Sequence, residues 1–362
     1  MTWRRQSAAT ASAMLASLIL VAFASGAGVE VRGEKMLFPV EENRAFGARL
    51  TPGGKQLLYH RSADGGPKRD QLIVRDLQTG NERVLDVGPA GDAGTLFYYH
   101  PFDAHGRVVA LPDYRKADAK FAGDLKRPVQ VVELGTGRVA RTRIVADLRY
   151  ARLDPTGEML IGPGPRVTRL ANNTVRHLRA PGFVDSVNPV APIASFMKSK
   201  SEGGPGLVLW DYANDRMLAD LPVDRENTRL DDYLPRWTSD GHYLYYIDVD
   251  PTKDGHEEQL QSRVWDARAG KLVTTVPRLG PVGPGPSPTT MVLRPNAVSG
   301  LKGFVVHDLA TGMVHPIHIK DSEEFASAWD GKIVYVKRVE GTRHLCVADL
   351  VMPMDAGQTP QR

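Results

Sequence analysis

Cysteine is nearly missing. The 362-residue chain has one, Cys346, so no internal disulfide can form, and an exported fold built this way must rest on its apolar core. There is no C-x-x-C-H, which excludes covalent c-type haem. Familiar catalytic signatures are missing as well. No G-x-S-x-G elbow occurs and no hydrolase domain follows the repeats, which excludes a prolyl-oligopeptidase-like enzyme by organisation. No P-loop or dinucleotide fingerprint lies between a strand and a helix. Charge of one sign is also scarce. The formal charge is +4, and 4 − 2 = +2 without Arg4 and Arg5. That excess is too weak to indicate nucleic acid.

Long apolar runs are confined to the start. Arg4 and Arg5 precede the run Ala13 to Ala24, and Ala22-Phe23-Ala24 is a small-x-small site with cleavage placed before Ser25. This is the layout of a secretory signal peptide over residues 1–24. No charge occurs from Gln6 to Val29, so an uncleaved anchor is the alternative.

Turn formers are abundant, with Gly 35 and Pro 26, and their placement is ordered. In PRWTSDGHYLYYID, Pro235 to Asp248, a Thr-Ser-Asp-Gly turn precedes a run, Tyr243 to Ile247, too apolar to face water on either side. Gly241 supplies the positive φ that the reversal needs. VWDARAGKLVTTV, Val264 to Val276, adds an aromatic-Asp pair, a Gly-centred turn and a further strand. Asp266 is placed to accept backbone N–H bonds two residues on, with Gly270 in the left-handed position. Together these pieces make a four-stranded antiparallel unit. Such a unit cannot cover both faces alone, so it needs packed neighbours.

The unit recurs. Its third-strand turn starts at Asp76, Glu133, Arg169, Asp211, Asp266, Asp308 and Asp349, spaced by about 45 residues, within the propeller-blade range. The earlier turn recurs from Thr51, Asp103, Asp154 and Trp329, but is lost at NPVAPIASFM and PSPTTMVLRP in blades four and six. The prediction is an all-β fold, a seven-bladed β-propeller of four-stranded antiparallel blades. Blade three is short and Pro-rich at IGPGPRV, so a six-bladed ring is the alternative, with blades three and four merged. After Leu350 no good fourth strand remains, while Lys35 to Glu42, KMLFPVEE, stands unpaired before blade one. Joining them gives a ring closed by an N-terminal strand, with no broad edge open and Pro39 on the free side. A surface arm is the alternative. The organisation is then signal peptide 1–24, N-terminal arm with the closing strand 25–43, propeller 44–353 and disordered tail 354–362.

The PRWTSDGHYLYYID stretch and the D-L-x-T-G turns resemble the repeats of TolB-type and WD-repeat-like β-propellers. Trp210-Asp211 and Trp265-Asp266 reproduce the Trp-Asp pair. The resemblance covers nearly all of the chain after residue 44. It lacks the N-terminal α/β domain of TolB, and it has seven rungs where TolB has six blades. It implies the propeller fold and a place among cell-envelope proteins.

Long connections fall on one rim: SADGGPKRD, PDYRKADAKFAGDLKRP, KSKSEGGPG and DVDPTKDGHEEQLQ, beside the blade links PVDRENTRLDDYLP and PRLGPVGPGPSPT. The candidate binding residues are Arg115, Lys116, Lys126 and Arg127 in blade two, suited to an acidic glycan or protein surface, with Arg229, Asp250 and His256 around blade five. Solvated loops without a ligand are the alternative. Asp248, Asp250, Asp254, His256, Glu257 and Glu258 offer oxygen donors for calcium. Their spacing fits a solvated acidic hairpin better, so no metal is assigned. His315 and His318 fall on opposite faces of a strand and do not chelate one ion. Cys346 reads as a small buried side chain.

No catalytic residue and no cofactor is assigned. The expectation is a monomeric periplasmic or secreted propeller that binds a protein or envelope glycan through its long-loop rim, without chemistry. Nucleic acid is not expected as a partner, nor is stable membrane insertion after signal cleavage. The alternatives are a channel-site enzyme, such as a polysaccharide lyase or glycosidase with inward carboxylates, and a structural spacer in an envelope assembly.

Overall fold

Apolar runs that do not alternate are explained by what lies on each side of a strand. In Tyr243–Val249, successive side chains point to opposite faces. Leu244 and Tyr246 pack with Leu207, Leu209 and Leu221 of blade four. Tyr245 packs the other way, with Met291, Leu293 and Val305 of blade six. Leu57 and Tyr59 likewise meet Val334 and Val336 of blade seven, while Leu58 meets Val109 and Leu111 of blade two. Seven such clusters occur among the described residues, one at each junction between neighbouring blades, so the sheets form a closed ring. This computed structural model describes residues 28–353 except 41–44, 63–68, 90–101, 113–126, 147, 163, 199–205, 224–234, 250–259 and 296–302.

The chain is a seven-bladed β-propeller. Blade five shows the plan, with Arg236–Trp237 innermost, then Tyr243–Val249, Leu260–Asp266 and Lys271–Pro277, all antiparallel. Six blades have four strands. Among the described residues blade two shows three strands, Val108–Pro112, Arg127–Glu133 and Val139–Ala146. On the inner side of this sheet Phe102 bridges antiparallel to Val109. Blade three is separate from blade four and complete, in four short strands from Arg152–Leu153 to Thr174–His177, so the six-bladed alternative is set aside.

The closing strand is Glu30–Pro39, which begins earlier than KMLFPVEE and ends at Pro39. It lies antiparallel on Thr342–Val351, with Met36 opposite Cys346 and Phe38 opposite Leu345. Cys346 is buried in the core between blades six and seven, as its small apolar side chain suits.

Two regions differ from the sequence reading. PRLGPVGPGPSPT is not a link: Leu279–Pro284 within it is the innermost strand of blade six. An innermost strand needs N–H groups for one neighbour only, so prolines are tolerated. The turns of blades four and six are also kept, although their glycine signature is lost. Asn188 Oδ1 accepts the N–H groups of Val190 and Ala191, both at 3.0 Å. In blade six, Thr290 N donates to Ser287 O at 3.0 Å and Ser287 N to Thr290 Oγ1 at 2.8 Å. Side-chain oxygens here do the work that a motif search credits to glycine.

The third-strand turns form as expected. Asp76, Asp211 and Asp266 each accept two backbone N–H groups through Oδ1, those of Asp266 coming from Arg268 at 2.8 Å and Ala269 at 2.7 Å. Burial raises the Asp266 carboxyl, but these bonds and His242 outweigh it and the group sits below its ordinary value. Asp266→Ala should therefore cost about 1–2 kcal/mol. A urea-unfolding midpoint equal to wild type would show that this turn is indifferent to its carboxylate.

Candidate functional site

Each blade contributes its first strand to the axis, and that strand ends in the first turn. In three alternate blades the same repeat position holds arginine. Blade one reads Arg49-Leu50-Thr51-Pro52, blade three Arg152-Leu153-Asp154-Pro155 and blade five Arg236-Trp237-Thr238-Ser239. In each, the residue two beyond the arginine opens the turn: Thr51, Asp154 and Thr238 each donate their backbone N–H five residues on, at 2.9 Å. In blade four Ser186 occupies the position, bonded to Ser195 Oγ at 2.8 Å. In blade six it is Gly283, where a Cβ would lie 2.4 Å from Ala328 O.

The ring carries Arg49, Arg152 and Arg236 to one cavity of about 140 Å³ on the axis, lined by all seven blades. Pro52, Pro155 and Pro189 of the first turns line it, so it opens toward the short-turn face, opposite the long connections. Phe102, Trp237 and Trp329 add aromatic wall. The Arg49 guanidinium lies 5.5 Å from the centre of the Phe102 ring. Arg152 donates through Nε to Asp185 O at 2.9 Å and through Nη1 to Ala151 O at 2.8 Å. Arg236 Nε is buried and has no hydrogen-bond partner among the described residues. Burial first, and then Arg152, push the Arg236 pKa down to about 10 against the pull of Asp185, so the group remains a cation at neutral pH.

Two carboxylates also line the cavity. Asp103 is fully buried and bound to Arg107, accepting at 3.0 Å from its Nε and at 2.7 Å from its backbone N–H. Asp185 is 3% exposed. Setting Asp103 against Arg107, the wall carries a formal charge of 3 − 1 = +2. No histidine among the described residues lines it. Among the described residues, no cluster of three or more His, Cys, Asp or Glu side chains is arranged to hold a metal ion. The arrangement suits holding an anion against flat apolar surface. Among the described residues it offers no paired acid and base.

The binding residues expected from sequence are a separate set, most of it outside the described residues. Arg115, Lys116, Lys126, Arg229, Asp250 and His256 lie outside the described residues. Arg127 is not in a loop: it opens the strand Arg127–Glu133, opposite Ala146. Asp248, read as a loop donor for calcium, is instead a buried strand residue whose Oδ2 lies 2.5 Å from Arg263 Nη2. His315 is buried and His318 exposed, which separates them as expected. The axial arginines escaped notice although their signal, an R-x-[TD] repeat ahead of the first turn, is present in the sequence.

No protein-family model matches the sequence, and no curated protein is similar enough to be matched. Solved structures show likeness in fold. An oligogalacturonate lyase in complex with manganese is 14% identical over 89% of this chain and 96% of its own, with a TM-score of 0.56. The oligogalacturonate lyase of Vibrio parahaemolyticus is 13% identical over the same shares, with a TM-score of 0.54. TolB from Acinetobacter baumannii is 14% identical over 64% of this chain, with a TM-score of 0.41, and the match spans only 54% of TolB. No helix among the described residues is long and apolar enough to cross a membrane. The chain is a seven-bladed β-propeller whose ring is similar in fold to that of the oligogalacturonate lyases.

Proposed function

We propose that this protein is an exported, non-catalytic propeller of the cell envelope that binds a protein or envelope glycan. One observation carries the reading: among the described residues the axial cavity gathers cations, prolines and aromatic rings, but no histidine and no paired acid and base. Binding sites are of this kind, concave and largely apolar with a few convergent polar groups. Export rests on Arg4, Arg5 and the apolar run that ends at the small-x-small site Ala22-Phe23-Ala24. The long connections on the opposite rim provide a second face for a larger partner.

A second reading is favoured by the two lyase-like rings together with the cationic cavity. A lyase acting on an acidic sugar needs a cation at the carboxylate and also a base. The described lining supplies the first. Two readouts on one preparation separate the readings. Crosslinking in intact cells should yield an adduct with an envelope component. Incubation with oligogalacturonate, with and without manganese, should give no ultraviolet absorbance from an unsaturated product. Turnover in either incubation overturns the non-catalytic reading.

A further inference from the structure

Resting on that binding role, we infer that the axial cavity is an oxyanion site, and that the group entering it carries a carboxylate or phosphate held by Arg49, Arg152 and Arg236. The first reason is convergence. One repeat position in blades one, three and five delivers three guanidinium groups to a single cavity, although those residues are far apart in the chain. Guanidinium is the side chain best suited to grip a planar or tetrahedral oxyanion, through paired N–H donors.

The second reason is incomplete pairing. Arg236 Nε is buried without an acceptor among the described residues. An unsatisfied buried donor on a charged group is costly. Among the described lining residues Asp185 is the carboxylate not matched by Arg107, and Arg152 bonds its backbone carbonyl. An incoming oxyanion would pair with the cationic wall and lower its net charge.

The third reason is size. The cavity of about 140 Å³ is roughly ten times what one water requires. It admits a group of several heavy atoms, such as a small acid or the charged end of a longer ligand. The prolines and aromatic rings around it favour a ligand with an apolar face beside its charge.

The test compares wild type with Arg236→Gln in chloride, inorganic phosphate and succinate at equal ionic strength, by thermal unfolding and calorimetric titration. Phosphate, succinate or both should raise the wild-type midpoint by about 2 °C or more over chloride. A response to phosphate alone assigns a phosphoryl group, and a response to succinate alone a carboxylate. Arg236→Gln should bind the effective anion at least about tenfold more weakly. It should also be at least as stable as wild type in chloride, because it removes a cation whose Nε is buried without an acceptor among the described residues. A site that serves only the fold moves the other way, so an Arg236→Gln protein less stable than wild type in chloride overturns the inference. So does a wild type indifferent to both anions, or a variant that binds them equally well. If Arg236→Gln does not fold at all, that too counts against the inference. Arg49→Gln then repeats the binding comparison, and unweakened binding there rejects the site entirely. Oligogalacturonate turnover tests the non-catalytic reading and anion response tests this one, so either can fail while the other stands.

Discussion

Starting the chain at Val40, so that Glu30–Pro39 is lost, should abolish cooperative folding. This strand is the outer strand of blade seven, and it is the piece that joins the beginning of the propeller to its end. Phe38 packs with Leu345 and Val347 of that blade and with Tyr59 of blade one, its ring centre 5.0 Å from that of Tyr59. Glu34 accepts from Lys337 Nζ at 2.6 Å and also from the Tyr335 hydroxyl. Val29 extends the join to blade six through a parallel bridge to Ile317. Replacing Phe38 alone by alanine should cost about 3–5 kcal/mol. Removing the whole strand also strips the hydrogen-bond partner from Thr342–Val351 and leaves a long apolar edge open. Together these losses rival the total stability of an ordinary domain, about 5–15 kcal/mol. Urea unfolding followed by circular dichroism, with size-exclusion chromatography, reads the outcome. A monomer that unfolds in one transition at the wild-type midpoint would show that the ring does not depend on its N-terminal strand.

Mild acid should be the second large effect. His60 and His307 are buried imidazoles held near pKa 3 and 4, both chiefly by burial. For His307, Asp308 opposes the shift and His315 adds to it. His60 lies on Gln56–Ser62, opposite Phe46 and Leu72, and His307 Nδ1 is 2.9 Å from the Tyr245 hydroxyl. In the unfolded chain both rings titrate near pH 6.5. Between those limits the unfolded state binds more protons than the folded one. The stability is therefore complete above about pH 6.5 and declines as pH falls toward the folded values. At about pH 5 each ring should subtract about 2 kcal/mol, or about 4 kcal/mol together. Glu82, Asp211 and Asp266 have folded pKa values below their ordinary ones, because hydrogen bonds and nearby cations outweigh burial. Their contribution has the same sign, but it is lost only as pH falls through about 4. Unfolding free energies at about pH 7.5 and about pH 5 provide the measurement, and equal values would contradict it. His60→Gln should retain only about half of the difference, whatever its absolute stability.

The fold was legible because its signals are local. A Gly-centred turn, an Asp that accepts the next N–H groups and an apolar run without alternation each act within a few residues. Seven copies in order implied the ring, and Lys35 to Glu42 implied its closure. Local signals misled where chemistry was substituted. Asn188 and the Ser287–Thr290 pair make turns without glycine. The prolines of Leu279–Pro284 disguised a strand that needs hydrogen bonds on one side only.

The site was less legible. Asp248 looked like an exposed donor because its strand neighbour Arg263 is fifteen positions away in the chain and invisible to spacing. Attention went to charged loops, where composition is conspicuous, while single arginines in Arg49-Leu50, Arg152-Leu153 and Arg236-Trp237 resembled ordinary strand ends.

By itself, then, the sequence determined the blade, its repetition and the strand that closes the ring, because turn geometry and two-faced burial are properties of neighbouring residues. Only the tertiary structure decided that three separated arginines share one small axial space with Asp185. The electrostatic character of that space is a sum over strands from all seven blades, and it exists only once the ring has closed.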